Sequence, residues 1–408
     1  MDHPATSTDQ TSRGNRSCSP LIIETVAVDS GGWPTLAGTW NHLFSQRPDA
    51  SAYVSPIWMQ TWLQIYGDTL RPDLFVAKTG ENEPVGICLL TRRTRYAALL
   101  PHVRIHLNCD GESAGQGVVV QHNSILSSPV ADESVMLTLA RHICSSRVDE
   151  IAVSGFNETG LQQWIRAFPG WTAETDWRED HYVDLDQLRA TGSEYISLLS
   201  RNTREQLRRS LKRYRERGDL HLETATTGAQ ADAMLDELIA LHDTHWRSKG
   251  HAGGFANDWR RSFHRSYIRA ALPHGEVQLL RVTAGGETIG VLYNLVANGK
   301  VCFYQSGLRY ETDGHFKPGL VVHHLAIMHC LRQGMSEYDF LVSGPNEGRY
   351  KSSLSTHHRR LGWLTLYRPG WRRQYFSLVR SLRHHLAKKR HNASPSENTA
   401  STTALPAE

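Results

Sequence analysis

Cysteine is scarce in this sequence: 6 residues in 408, at positions 18, 88, 109, 144, 302 and 330, with no C-x-x-C spacing among them. Zinc ribbons and thioredoxin-type redox centres need such pairs, and disulfide-stapled domains need far denser cysteine. Reduced core thiols are the simpler reading, as in the apolar run Val301-Cys302-Phe303, and they suit a cytoplasmic compartment. No apolar run reaches the roughly 20 residues of a membrane span. Residues 1–20 are rich in Ser, Thr, Asp and Asn and lack the apolar core of a secretory signal. A disordered N-terminus is expected there. No H-E-x-x-H is present among the 22 histidines. The pairs His323-His324, His357-His358 and His384-His385 are adjacent in sequence, so they cannot share a helix face. No metal is therefore expected. A Ser-His-Asp triad, an activated cysteine and a sustained heptad are also missing. The net charge is only +4, which permits a phosphate-bearing partner but is far below the field of a dedicated nucleic-acid binder.

What is present is length and apolar bulk. A chain of 408 residues with 39% hydrophobic content exceeds what one core usually serves. An internal repeat divides it. Residues 74–87 align without a gap on 278–291, each copy reading strand, polar turn, strand. Further on, a helix leading into Asp149-Glu150-Ile151 is echoed by one leading into Glu337-Tyr338-Asp339. The expected organisation is an α/β (α+β) protein with a mixed sheet and two duplicated domains. Residues 1–20 form the disordered start, 21–180 the first domain, 181–370 the second, 371–390 a basic amphipathic helix and 391–408 a disordered tail. The boundary is placed near Asp180.

The second half is the more legible. A helix is expected over 193–217 opened by Ser193, then a strand over 220–226 and helices over 229–249 and 258–272. Strands follow at 276–283, 288–297 and 301–308, with Asn298-Gly299 as a hairpin turn. Pro318 opens a helix that Gly334 closes, and a strand at 338–341 follows. This is the element order of a GNAT fold. In the first half, a strand at 21–28, helices within 34–67, a hairpin and a helix over 131–146 repeat the logic.

Two stretches look suited to an anion. The loop 310–320 joins a strand to a helix, where orphan N–H groups and the helix dipole favour negative charge. Gly314 and Gly319 allow close approach, Pro318 starts the helix and Lys317 adds charge. The helix over 199–217 carries Arg201, Arg204, Arg208, Arg209, Lys212, Arg213, Arg215 and Arg217 against only Glu205 and Glu216. Its buried stripe is Leu207, Leu211 and Tyr214. A phosphate-rich ligand, such as a CoA nucleotide, an aminoacyl-tRNA or a lipid diphosphate-linked sugar, would relieve the repulsion among these cations.

The run Gly307-Leu308 through His315-Phe316-Lys317-Pro318-Gly319-Leu320, its helix, and Tyr338-Asp339-Phe340-Leu341 followed by Tyr350-Lys351 resemble the second domain of the CelD/BcsL cellulose-biosynthesis acetyltransferase family. That family is GNAT-type and FemAB-like, and is also described as having a BioF2-like acetyltransferase domain. The arginine-rich helix and His245-Trp246 are similar too, so the likeness covers about 195–351. It implies acyl transfer from acetyl-CoA or another acyl-CoA to an acceptor, within exopolysaccharide biosynthesis. Of the usual GNAT pyrophosphate signature, only the Lys317-Pro318-Gly319 form is present.

Direct acyl transfer needs a base, donors for the carbonyl oxygen, and an acid for the departing thiolate. Tyr304 is read as the acid and Asp339 or His315 as the base. Gly314, Lys317, Pro318, Gly319, Arg204 and Arg208 are read as holding the donor. His245, Trp246, Gln305, Tyr350 and Lys351 are read as facing a small-molecule or glycan-precursor acceptor. The basic 371–390 segment is read as lying on an anionic membrane surface, with packing on the second domain as the alternative. Two rival functions remain at this point. One is a Fem-type aminoacyltransferase, the only reading that brings in tRNA; the other is a non-catalytic scaffold for polysaccharide synthesis.

Overall fold

In the computed structural model, which describes residues 20–97, 100–112, 117–342, 348–379 and 381, one order of elements occurs twice. The first half contains β1 (Ile22–Ala27), α1 (Trp33–Ser45), α2 (Pro56–Leu70), β2 (Asp73–Lys78), β3 (Pro84–Ala97), β4 (Leu100–Leu107), the short β5 (Leu126–Ser127), α3 (Asp132–Ser145), β6 (Glu150–Asn157), α4 (Glu158–Ala167) and β7 (Thr172–Asp184). The second contains α5 (Leu185–Thr191), α6 (Tyr195–Leu198), α7 (Arg201–Arg217), β8 (Leu220–Thr224), α8 (Gly228–Ser248), α9 (Asp258–Ala271), β9 (Val277–Ala284), β10 (Glu287–Ala297), β11 (Lys300–Leu308), α10 (Pro318–Arg332), β12 (Glu337–Asp339), α11 (Gly348–Leu354) and β13 (His357–Tyr367). The expected disordered runs lie outside the described residues, save Pro20, as does 382–390 of the basic segment.

Local chemistry accounts for most boundaries. Thr227 and Gln230 cap α8 reciprocally. Pro318 stands in the first turn of α10, where its missing N–H costs nothing. Asn298 and Gly299 both take positive φ, 49° and 76°, which is what a tight hairpin between β10 and β11 requires. One expected helix is interrupted. Residues 193–217 divide into α6 and α7 because Leu199 and Ser200 are extended, and the Ser200 side chain, not that of Ser193, accepts the Thr203 N–H.

The 13 strands form one mixed sheet, in the order β1-β2-β3-β4-β6-β13-β7-β12-β11-β10-β9-β8, with β5 paired to β3. Reading inward from either edge gives four antiparallel strands, a parallel partner and a last antiparallel strand. The last strands are exchanged. β7 ends the first half but pairs with β12 of the second, while β13 ends the second half and pairs with β6 of the first. β7 and β13 pair with each other along their length, from Thr172↔Tyr367 to Tyr182↔His357. Near the middle of this ladder Arg178 lies over Trp363 and Arg360 over Trp177, at 4.4 and 4.7 Å. Asp180, where the sequence places the domain boundary, falls inside β7.

Helices cover both faces. α1, α2, α8 and α9 share one core that spans the two halves, with Trp58 edge-on to Phe263 and Tyr267 at 4.8 and 5.0 Å. On the opposite face α3 and α4 cover the first half, and α7 and α10 the second. The basic C-terminal stretch is helical at 371–379 and packs against the first half, with Arg373 also over Tyr367 of β13. Arg372 pairs with Asp149 at 2.6 Å, and Phe376 is buried against the His102 ring at 4.5 Å.

Helix α8 packs tightly on the sheet at Gly307 of β11. A Cβ there would stand 2.3 Å from the Leu238 carbonyl oxygen of α8, a backbone atom that cannot swing away. Gly307→Ala should therefore lower stability by about 1–3 kcal/mol, as overpacking does. Chemical denaturation of the two proteins checks this, and an unchanged midpoint would show that α8 is not pinned at Gly307.

Candidate active site

Strands β11 and β12 are parallel neighbours only from Lys300↔Glu337 to Cys302↔Asp339. Beyond that they part. β11 runs on to Leu308, while the chain after β12 follows β7, with the Phe340 N–H on the His181 carbonyl. Leu341 then takes a φ of 59°, unusual for a bulky residue. Two contacts hold it there: Asp339 Oδ1 accepts its N–H at 2.6 Å and Lys351 Nζ approaches its carbonyl at 3.5 Å. The start of α10 lies beside Leu308, at the far end of β11. No side chain caps this helix, and its first turn lacks acidic residues, so the Gly319 and Leu320 amides and the dipole remain available to an anion. A Cβ on Gly319 would meet only Leu308 at 3.4 Å and Tyr350 at 3.9 Å. Gly314, His315 and Lys317 are exposed on the approach.

The corresponding helix of the first half is closed. Asp132 and Glu133 occupy the first turn of α3. Arg47 grips Asp132 at 2.7 and 2.8 Å, with Ser127 also hydrogen-bonded to it. The first turn of α3 thus carries protein carboxylates, whereas that of α10 carries none, so the two helix starts of the duplicated fold are electrostatically unequal.

The predicted residues gather in part. Lys317, Pro318, Gly319 and Tyr350 meet at the α10 start. Tyr350 Oη is 2.8 Å from His323 Nε2, whose Nδ1 is 2.9 Å from Tyr338 Oη. Burial, then Lys351, brings His323 down to about 3, so it stays neutral and orients Tyr350. Gly314 and His315 lie on the same loop, where His315 Nδ1 is 2.8 Å from Asp313 Oδ1. This loop rests on α7 through Ser210 Oγ, which accepts the Lys317 N–H at 2.9 Å, and through Arg217 over Phe316 at 3.9 Å. Arg204 instead donates to the Ser197 carbonyl. Among the described residues, Arg208 makes no contact with the loop. Lys351 is buried beside Phe303. His245 stacks on Tyr310 at 4.1 Å, with Trp246 next to it. Gln305 is buried near Gly254 and accepts the Ser306 N–H.

Tyr304, Asp339 and His315 do not converge. Tyr304 is buried in the shared core among Trp58, His264 and Tyr293, and burial pushes its hydroxyl up to about 12. His315 stands exposed on the loop before α10. Asp339 belongs to a buried charge cluster that spacing could not reveal. Its Oδ2 takes Arg359 Nη2 and, at 2.9 Å, His122 Nε2 of the first half. Arg359 also donates to Asp180 at 2.7 Å and to Glu337 at 2.8 and 3.0 Å. Burial opposes the Asp339 charge, yet Arg359 and His122 hold its carboxyl well below the usual range. Such a group is a poor base. Asp180 shifts the other way, to about 6, because it is buried beside Asp339.

His122, Asp180 and Asp339 offer ligand-type atoms within 4.8 Å of one another. The Arg359 guanidinium already lies on both carboxylates, however, and a metal ion would have to share them with it. We read the cluster as the lock between the halves. Gln121, beside it, accepts the Val342 N–H at 2.7 Å, so the first half also reaches the parted strands.

Residues 201–352 match the family model described as Acetyltransferase (GNAT) domain. No curated protein matches the chain in sequence. Among solved structures, the chain is similar to FemX, with a TM-score of 0.55 and 10% identity, covering 83% of this chain and 96% of that one. It is also similar to L-PGS from Bacillus licheniformis, with a TM-score of 0.51 and 10% identity, covering 87% and 98%. A conserved protein of unknown function from Bacteroides thetaiotaomicron gives 0.50 and 10%, covering 85% and 100%. At such identities the likeness is one of fold. That fold is of the GNAT type, present here as a mixed sheet built from two like halves.

Burial opposes charging of His122, but Asp339 and Asp180 outweigh it and bring the imidazole up to about 9. A raised value stabilises the fold fully below the unfolded value of ~6.5, and this contribution is lost as pH rises through about 9. It is worth on the order of 3 kcal/mol. Denaturation midpoints should fall between pH ~7 and ~9.5. His122→Gln should lower the midpoint at neutral pH and remove most of that fall. Equal pH slopes in the two proteins would rule out the lock.

Proposed function

We propose that the chain transfers an acyl group, acetyl being the simplest, from an acyl-CoA to an amine or hydroxyl of a sugar or cell-envelope precursor. One observation carries this reading: the uncapped start of α10, with Lys317 at its N-cap, lies beside Leu308 of β11, beyond the point where β11 and β12 cease to pair. Amides and dipole there suit a pyrophosphate, and the parted strands leave room for an extended thioester arm. The match of 201–352 to a GNAT acetyltransferase domain supports the same chemistry. The acceptor nucleophile attacks the thioester carbonyl and releases its proton to solvent, the C–S bond breaks, and the departing thiolate takes a proton. Tyr350 is better placed than Tyr304 to supply that proton, because it stands beside Gly319 and is oriented by a neutral His323.

His245, Trp246 and the exposed Tyr310 make an aromatic edge beside the same loop. Aromatic faces stack on sugar rings, and the resemblance to the CelD/BcsL family points to an exopolysaccharide precursor as acceptor. The outward cations of α7 favour one rival donor. Arg208, Arg209, Lys212 and Arg215 have no ion-pair partner among the described residues, as a surface for aminoacyl-tRNA would require.

Titration calorimetry with acetyl-CoA should show binding, weakened at least ~10-fold by Gly319→Val, whose side chain would cover the amides. Once an acceptor supports turnover, Tyr350→Phe should lower kcat by ~10²–10⁴ with little change in KM. No binding at millimolar acetyl-CoA removes the proposal, and RNA that copurifies and carries the transferred group would replace it with the tRNA-dependent reaction.

A further inference from the structure

The β3–β4 hairpin of the first half sets cations against one another. Arg93 is directly opposite Arg104, and Arg95 opposite His102. These four residues lie on one sheet face and line a cavity of about 450 Å³. Like charges facing each other across strands are destabilising, and little here cancels them. Glu150 is the nearby carboxylate, but it already serves both Arg104 and His102. Arg93 and Arg95 have no ion-pair or hydrogen-bond partner among the described residues. The buried Arg104 Nε makes no hydrogen bond.

The cavity ends at Glu112. Burial, then the neighbouring Asp110, lifts that carboxyl to about 8, so at neutral pH it is an uncharged acid able to donate a hydrogen bond. Trp62 Nε1 holds its other side at 2.5 Å. Phe376 of the C-terminal helical segment, seated on His102, forms part of the wall. The opening therefore combines two unused guanidinium groups, an unsatisfied buried donor, a neutral acid and an aromatic side.

We propose that this cavity binds a phosphate-bearing ligand, a diphosphate ester or a phosphate headgroup, between the Arg93/Arg104 and Arg95/His102 pairs. The two pairs are two residues apart along the strands, about 6.8 Å, so a ligand with two phosphate groups can meet both. Guanidinium groups bind phosphate oxygens in a fork that suits this arrangement. The site is independent of the acyl-transfer reading, because the anion position at α10 belongs to the other half.

Inorganic pyrophosphate is the first probe, titrated calorimetrically at low salt into the full chain. The double variant Arg93→Gln, Arg95→Gln should lose at least ~10-fold in affinity, while binding persists in Lys317→Ala. Without ligand, the double variant should melt at or above the wild-type temperature, since it relieves repulsion. Arg95→Gln alone, at an exposed position, should shift affinity in the same direction. Vesicles of phosphatidylcholine with and without phosphatidic acid separate the sources. Sedimentation that needs phosphatidic acid and is lost in the double variant assigns the site to a lipid headgroup, and pyrophosphate binding without sedimentation assigns it to a soluble diphosphate. If pyrophosphate affinity survives the double substitution in a Lys317→Ala background, or disappears with Lys317→Ala alone, the proposal is wrong.

Discussion

The architecture depends on the antiparallel pairing of β7 with β13. Each strand ends one half and completes the sheet of the other, so neither half has a closed sheet of its own. Arg359 secures this exchange. From β13 it reaches Asp180 on β7 and both Glu337 and Asp339 on β12, and His122 approaches the two aspartates from the opposite side. A part-buried guanidinium that serves three carboxylates from two different strands leaves little freedom in how the halves meet.

That constraint also shapes the opening between β11 and β12. Asp339 is the last residue of the parallel pairing, and its other oxygen holds the Leu341 amide in the left-handed turn where the strands part. Gln121 of the first half fixes the next amide. The first half thus reaches the parted strands, while the uncapped helix start beside them belongs wholly to the second. Duplication supplied two helix starts, and sequence differences made them unequal: Lys317-Pro318-Gly319 leaves α10 open, whereas Asp132 and Arg47 close α3.

The repeat, the hairpin turn at Asn298-Gly299 and the span of α8 to α10 were legible because each rests on local rules of periodicity, capping and turn conformation. β13 was not foreseen, although Trp363-Leu364-Thr365-Leu366-Tyr367 has the aromatic and β-branched composition of a strand. Its four consecutive histidines and arginines read as a polar run until the exchange pairs them with β7. The placement of a break near Asp180 failed to anticipate a continuous strand for the same reason. On the candidate site, the loop residues 314–319 could be chosen from the strand-to-helix context. Asp339 could not be distinguished from a base, since its partners Arg359, His122 and Asp180 are far away in sequence.

By itself, then, the sequence determined the kinds of element, their order, the duplication and the loop suited to an anion, because these follow from forces acting over a few residues. Only the tertiary structure decided which strands are exchanged, which helix start stays open, which half the C-terminal helix covers and which charges neutralise one another. Those outcomes depend on groups brought together across 20 to more than 200 residues, where burial and pairing rather than local propensity set the energy.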